Sequence, residues 1–172
     1  SLGLVGSEMC IRDSNGTASS TSQSNNTVNL FEKVLPTISS TALAADNSTI
    51  TATFSEAVFK SRSASGTGFA GNGDLEVSDF VLSMSGGVAT LGSATPTSVS
   101  KSSNAYTLGI NYIGLPNGSE VITVIPAQDA IYDNTGNIAS TTQSNNTKTF
   151  NSEKIRIAKS LEFETGYAPV SY

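Results

Sequence analysis

Carboxylates are the side chains of this sequence that are best suited to chemistry. Histidine is absent and cysteine occurs once, at Cys10, which excludes histidine–cysteine zinc sites, histidine-based triads and thiol catalysis together. The candidate oxygen ligands that remain are Glu56, Asp74, Glu76, Asp79, Asp129 and Asp133. Carboxylates of this kind, together with backbone and amide oxygens, are the ligands that calcium prefers.

The composition restricts the partners that such a chain could have. The 172 residues carry a net charge of −5, and only 13% of them are charged. A nucleic-acid partner is not expected, because phosphate binding needs a concentrated positive patch and the sequence has none. No stretch is long and apolar enough to span a bilayer. The polar residues are mostly Ser, Thr, Asn and Gly, which favour strands and turns over helices.

The elements that position the carboxylates are predicted to be short antiparallel strands. Residues 48–54 set the pattern, because Ile50, Ala52 and Phe54 alternate with threonines there. Related patterns predict further strands at 37–43, 80–85, 105–113, 120–126 and 140–150, and two within 88–102, VATLGSA and TSVSKS. Phe54 is predicted to be a central core residue. We expect its ring to lie on the face of Ile50, and the residues opposite are expected to be Leu82, Leu108 and Ile110.

Turn residues separate the predicted strands. Gly86-Gly87 predicts a hairpin, and Pro116-Asn117-Gly118 predicts a turn before a strand that is apolar on both faces and therefore central. Helical periodicity is absent, apart from a turn or two around residues 126–131. Strands at this spacing predict an all-β fold with an antiparallel sandwich.

One segment of the sequence occurs twice. Residues 23–27 and residues 143–147 both have the sequence QSNNT, a spacing of 120 positions. The pair Glu32-Lys33 likewise returns as Glu153-Lys154 after a one-residue insertion. A period of this length is typical of whole domains in tandem, each with its own core.

The repeat divides the chain into four segments. The stretch Leu4–Ser14 resembles the translation of a transposase adaptor from sequencing libraries, because one reading frame of that adaptor encodes Glu8–Asp13. We therefore predict that residues 1–14 are an adaptor artefact. The other predicted segments are the end of a preceding repeat and its linker at 15–33, a complete repeat at 34–152, and a linker with the start of a following module at 153–172.

The complete repeat resembles a known family at two places. The strand end TFSEAV at residues 53–58 and the later D-x-x-G-N corner at Asp133–Asn137 are similar to bacterial immunoglobulin-like repeats of S-layer, adhesin and multidomain secreted proteins. The resemblance implies an immunoglobulin-like sandwich with Greek-key connections and about seven strands. It implies little about function, because such modules mostly serve as spacers.

The resemblance also brings two carboxylates together. In such a sandwich the end of the second strand and the corner after the sixth lie at the same pole, so we expect Glu56 and Asp133 to be neighbours. Two adjacent carboxylates repel unless a cation or hydrogen bonds compensate. One interpretation is a calcium site, to which Asp74, Glu76 and Asp79 add oxygens. In the other interpretation Asp133 caps its own turn, and Glu56 accepts backbone N–H bonds from the same corner.

A Ser/Gly-rich stretch at residues 60–73 lacks alternation and predicts a long loop at one end of the sandwich. Phe69 is its one large apolar residue. It either anchors the loop on the domain or contacts a partner, since loops on rigid scaffolds often carry function.

The sequence as a whole predicts a protein that is not an enzyme. The expected function is that of a structural spacer repeat in a large bacterial surface or secreted protein, outside the cell, with neighbouring repeats of the same chain as partners. One alternative is an adhesive module that binds a glycan or a cell-surface protein, stabilised by calcium or not. Another is an accessory domain of a secreted hydrolase. A glycosidase site is disfavoured, because only 7% of the residues are aromatic and tryptophan is absent.

Overall fold

The computed structural model describes residues 32–65 and 68–152. The strands are β1 Ile38–Leu43, β2 Thr49–Phe54, β3 Ser61–Ser65, β4 Gly68–Asn72, β5 Phe80–Ser85, β6 Thr90–Leu91, β7 Val99–Ser102, β8 Ala105–Gly109, β9 Tyr112–Ile113, β10 Val121–Pro126 and β11 Thr147–Thr149. A single 3-10 turn, Val77–Asp79, is the helical element of this part of the chain. Over the same residues no helix has the length and the apolar character needed to cross a membrane. The predicted segments 1–14 and 153–172, and nearly all of 15–33, lie outside the described residues.

Two antiparallel sheets form the body of the domain, with the strand orders β1-β2-β8-β7 and β11-β10-β5. Taken in chain order, these strands correspond one for one to strands A to G of a seven-strand immunoglobulin sandwich, whose sheets are A-B-E-D and G-F-C. The predicted all-β antiparallel sandwich is therefore confirmed. Strand β10 is central in its sheet, as its apolar faces predicted.

The core lies between the two sheets. Ile50, Ala52 and Phe54 of β2 point inwards, and each is at most 2% exposed, as the alternation predicted. Phe54 packs on Phe80 of the other sheet, with ring centroids 6.4 Å apart, and on Tyr106 of its own sheet at 5.8 Å. Leu108 was expected on the sheet that faces β2. That expectation is wrong, because Leu108 pairs with Ile50 on the neighbouring strand of the same sheet.

The stretch at residues 60–73 is a hairpin and not a loop. Strands β3 and β4 pair antiparallel from Ser61↔Asn72 to Ser65↔Gly68. Neither strand contributes to the buried core, so neither needs the apolar alternation that reveals a strand in a sequence.

The hairpin predicted at Gly86-Gly87 is wrong. Strand β5 pairs with β10, whereas β6 pairs with β9 in a separate two-stranded ribbon. Both glycines have positive φ values, 74° and 61°, and they carry the chain from the sheet into this ribbon.

Several predicted strands are longer than the observed ones. The stretch at 105–113 divides into β8 and β9, and the two strands predicted within 88–102 are present as the shorter β6 and β7. Most of 140–150 is irregular, and only β11 remains. Side chains replace the missing ladder there, because Asn146 donates to the carbonyl of Val124 and the backbone of Ile38 donates to the side chain of Gln143.

Candidate functional site

The chain enters and leaves the sandwich at opposite ends of β2. At one end, the backbone N–H of Ser55 donates to the carbonyl of Thr37 at 2.8 Å, just before β1. At the other end, Asn47 precedes β2 and bonds to Asn151, which follows β11. These ends are termed the N-terminal pole and the C-terminal pole. The six residues of β2 separate them, by about 20 Å.

The N-terminal pole carries the corner Asp133–Asn137. Asp133 is fully buried. Its Oδ1 accepts the backbone N–H groups of Thr135 at 2.7 Å and of Asn137 at 2.8 Å. Its Oδ2 accepts the Nδ2 group of Asn137 at 2.7 Å. Asp133 therefore caps its own turn, as the alternative to a calcium site predicted for this residue.

The corner also holds the chain that leads into β1. Asn137 Nδ2 lies 3.1 Å from the carbonyl oxygen of Glu32 and 3.3 Å from that of Val34. It lies 3.1 Å from Oε2 of Glu32, to which the hydroxyl of Thr135 also donates. The segment before β1 is therefore bonded to a corner that lies about a hundred positions later in the sequence.

Glu32, Glu56 and Asp133 bring their carboxylates together at this pole. One oxygen of each lies within 4.8 Å of the others. The expected proximity of Glu56 and Asp133 is thus present, and the structure adds Glu32. Glu32 was not predicted as a site residue, although the return of Glu32-Lys33 as Glu153-Lys154 was a signal that this position recurs in the sequence.

The three carboxylates differ in their electrostatics. Burial and the nearby charges of Asp133 and Glu32 raise the pKa of Glu56. Burial opposes the ionised form of Asp133 as well, but its hydrogen bonds from Asn137 and Thr135 outweigh burial, so its pKa is lowered. Asp133 is therefore a stabilised anion, whereas Glu56 faces repulsion.

The other predicted ligands lie elsewhere and have local partners. Asp74 accepts a hydrogen bond from Lys101 at 2.7 Å, which lowers the pKa of Asp74. Glu76 forms an ion pair with Lys60. Asp79 accepts the backbone N–H of Glu76 at 2.7 Å and closes the 3-10 turn. Among the described residues the carboxylate cluster consists of Glu32, Glu56 and Asp133, and it does not include Asp74, Glu76 or Asp79.

Asp129 also has a local role. Its backbone adopts a positive φ of 55° in the turn before the corner, and its carbonyl accepts the hydroxyl of Tyr132 at 2.6 Å.

Phe69 lies on the hairpin β3–β4, which sits over the corner. The guanidinium of Arg62 lies 4.6 Å from the ring centroid of Phe69 and 5.4 Å from that of Tyr132. Arg62 also donates to the carbonyl of Gly136 at 2.9 Å. The ring of Phe69 is therefore an anchor of the hairpin, and contact with a partner stays a prediction for its exposed side.

A second buried carboxylate, Glu120, lies at the C-terminal pole. Its side chain accepts backbone N–H groups from Val88, Ala89, Asn117 and Gly118 at 2.8 to 3.1 Å. Burial alone would raise the pKa of Glu120, but the bonds from Ala89 and Val88 contribute most to lowering it to about 2. Sequence reasoning missed Glu120, because a single glutamate before an apolar strand is usually a surface charge.

A polar groove of about 280 Å³ lies between β1 and residues 144–148. It is lined by Ser39, Ser40, Thr41, Ser144, Asn145, Thr147 and Lys148. Hydroxyl and amide groups dominate this lining, and it contains no carboxylate that could act as a general acid or base.

No family model, no curated protein and no solved structure matches this chain. Function is therefore inferred from the fold and from the contacts at the two poles.

Proposed function

We propose that this chain is a non-catalytic structural repeat that acts as a spacer in a large bacterial surface or secreted protein. The observation that carries the proposal is the position of the two points at which the chain enters and leaves the sandwich. Domain termini often lie close together, whereas here the chain enters at one pole and leaves at the other. Domains connected in this way extend a chain in series, and each adds its own length.

Both ends are also fixed by side-chain hydrogen bonds. Asn137 holds the linker at Glu32, and Asn47 and Asn151 exchange two amide–backbone bonds of 2.8 and 2.9 Å. Each such bond contributes about 0.5–1.5 kcal/mol. Together they restrict the directions in which the chain enters and leaves, which is what a spacer of defined length requires.

The sequence repeat supports the same function. QSNNT recurs in the last part of each copy and the Glu-Lys pair in the linker that follows it, so the contacts that Glu32 makes at the N-terminal pole are set to recur with each copy. The TFSEAV strand end and the D-x-x-G-N corner, which resemble bacterial immunoglobulin-like repeats, form the N-terminal pole at which these contacts lie.

The experiment is a distance measurement between spin labels on cysteines introduced at Lys33 and Ser152, in the full chain carrying Cys10→Ser. We expect one narrow distance distribution. Combining Asn137→Ala with Asn47→Ala should broaden it without unfolding the domain, which circular dichroism checks. A broad distribution in the parent chain would contradict a spacer with fixed ends.

Calcium binding at Glu32, Glu56 and Asp133 stays a prediction. The close approach of three carboxylates favours it. The hydrogen bonds that Asp133 already accepts from its own turn favour the capping role instead.

Two other functions also stay predictions. An adhesive module would use the hairpin β3–β4, from which Phe69 is 48% exposed. Replacing Phe69 by Ser, with the exposed Val81→Ser as the matched control, and screening both against glycans and cell-surface proteins would test this. The role of accessory domain in a secreted hydrolase needs a catalytic domain in the same protein, which the sequence of the complete gene would reveal.

A further inference from the structure

The ribbon β6–β9 at the C-terminal pole carries an exposed apolar strip. Its register pairs Thr90 with Ile113, and Val88 precedes Thr90 by two residues while Leu115 follows Ile113 by two. The two segments stay adjacent beyond the paired residues, because a side-chain carbon placed on Gly114 would lie 3.6 Å from Cα of Ala89, so Val88, Ile113 and Leu115 are neighbours at this end of the ribbon. They are 68%, 64% and 49% exposed, and are termed the apolar strip.

The backbone under the apolar strip is held in place. On the other face of the ribbon, the ring of Tyr112 packs on Phe150 with centroids 5.3 Å apart, and Ala89 is only 3% exposed. The carboxylate of Glu120 binds the N–H groups of Val88 and Ala89. The strip is therefore a surface of defined geometry.

The chain leaves the repeat beside this surface. A side-chain carbon placed on Gly118 would lie 3.3 Å from Cβ of Ser152, and Gly118 follows Leu115 by three residues. Beyond Ser152 the sequence alternates, with apolar residues at Ile155 and Ile157. Three extended residues span about 10 Å, so Ile155 is within reach of the apolar strip.

The linker at the N-terminal pole supplies an independent observation. Since Glu32-Lys33 corresponds to Glu153-Lys154, Val34 corresponds to Ile155. Val34 is 70% exposed and the adjacent Leu35 is 46% exposed. Val34, which follows the Glu-Lys pair, is thus exposed at the N-terminal pole. The apolar strip is exposed in the same way at the C-terminal pole. Exposed apolar surfaces of this kind mark contacts.

We propose that the apolar strip is the docking surface for the linker that follows it, with Ile155 and Ile157 as the side chains that cover it. In the same way, Val34 would lie on the strip of a preceding repeat. The proposal rests on the proposed function as a repeat in series, and it adds how one repeat fixes the direction of the next.

The test is disulfide trapping in the full chain carrying Cys10→Ser. Ile113→Cys is combined with Ile155→Cys, and the control combines Ile155→Cys with Val81→Cys, since Val81 is exposed at 39% but lies on β5. A disulfide needs Cα atoms within about 7 Å. We expect the intramolecular bond to form at least about tenfold faster in the first pair than in the control. Equal rates, or a product that is mainly an intermolecular dimer, would overturn the proposal.

A second measurement does not depend on cysteine chemistry. Ile155→Asp should lower the midpoint of thermal unfolding by about 2–4 °C, and should have no effect when Val88, Ile113 and Leu115 are all replaced by Thr. The same shift in both backgrounds would contradict docking. A narrow distance between labels at Lys33 and Ser152, found together with equal trapping rates, would reject the docking surface and leave the spacer intact.

Discussion

At the scale of single residues, Glu120 is fully buried and Glu56 only partly so, yet the pKa of Glu120 is lowered to about 2 while that of Glu56 is raised. The partners account for the difference. Backbone N–H groups surround the carboxylate of Glu120, whereas the neighbours of Glu56 are the carboxylates of Asp133 and Glu32. The contributions of Glu120 and Glu56 to the stability of the folded domain therefore change with pH in opposite directions.

Glu120→Gln should destabilise the domain at neutral pH, by several degrees in the thermal midpoint. The reason is that an amide group would replace an oxygen that accepts N–H bonds. Since the folded pKa lies below the ordinary value of 4.5, the contribution of Glu120 is present above about pH 4.5 and is lost as the pH falls towards 2. Unfolding at pH 7, 4 and 2.5 measures this. A loss of the same size at every pH would contradict it.

The matched control for this variant is Glu76→Gln. Its carboxylate is 61% exposed and pairs with Lys60 on the surface. The midpoint at pH 7 should change little, because exposed ion pairs contribute little to stability.

Glu56→Gln should have the opposite effect. A raised pKa means that the ionised side chain weakens the folded state above that pKa, and that this penalty is relieved as the pH falls towards 4.5. We expect the variant to be more stable at pH 7 by less than about 1 kcal/mol, with the gain vanishing near pH 4. Asp133→Asn is the control and should be destabilising at pH 7, because it replaces a charged acceptor within the turn.

The same two variants decide the question of calcium. A site at Glu32, Glu56 and Asp133 predicts stabilisation of about 1.4 kcal/mol at a tenfold excess over its Kd. Glu56→Gln should weaken that effect. Thermal melts in millimolar calcium and in chelator measure it, and identical midpoints would leave Asp133 with its capping role alone.

At the scale of elements, the sequence pattern predicted those strands that face the core. The alternation in β2 and β5 is visible because one face of each strand is buried. The hairpin β3–β4 lacks it, because this hairpin is held by Arg62 stacking on Phe69 and by bonds to the corner. No periodic pattern in a sequence signals contacts of that kind.

Phe54→Ala tests the register of β2. Phe54 is 2% exposed between Phe80 and Tyr106, so its truncation should cost about 3–5 kcal/mol. Denaturant unfolding measures the loss. Phe69→Ala is the control and should cost far less, because that ring is about half exposed. Equal costs would mean that the side chains of β2 do not face the core as described.

The candidate site was predictable only where the fold supplies proximity. The proximity of Glu56 and Asp133 was predictable from the resemblance to immunoglobulin-like repeats, in which a strand end and a corner share one pole. The position of the Glu32 carboxylate at this pole depends on a hydrogen bond from the hydroxyl of Thr135, which lies 103 positions away. The role of Glu120 depends on N–H groups from the segment just before β6 and from the turn before β10. Contacts between distant segments leave no local signal in a sequence.

At the scale of the whole molecule, the described part of the chain is a sandwich with one end of the chain bonded at each pole. Asn137 acts at the N-terminal pole, and Asn47 acts at the C-terminal pole. The proposed spacer function therefore requires that copies joined in series keep a fixed direction from one to the next.

Small-angle X-ray scattering on one, two and three copies of residues 34–154 in series tests this requirement most directly. In such chains Glu153-Lys154 of one copy stands where Glu32-Lys33 stands before the next. We expect the maximum dimension to rise by an equal increment with each added copy, and Asn137→Ala in every copy to reduce that increment. A dimension that grows only as the square root of the copy number, unchanged by Asn137→Ala, would contradict a spacer with fixed ends.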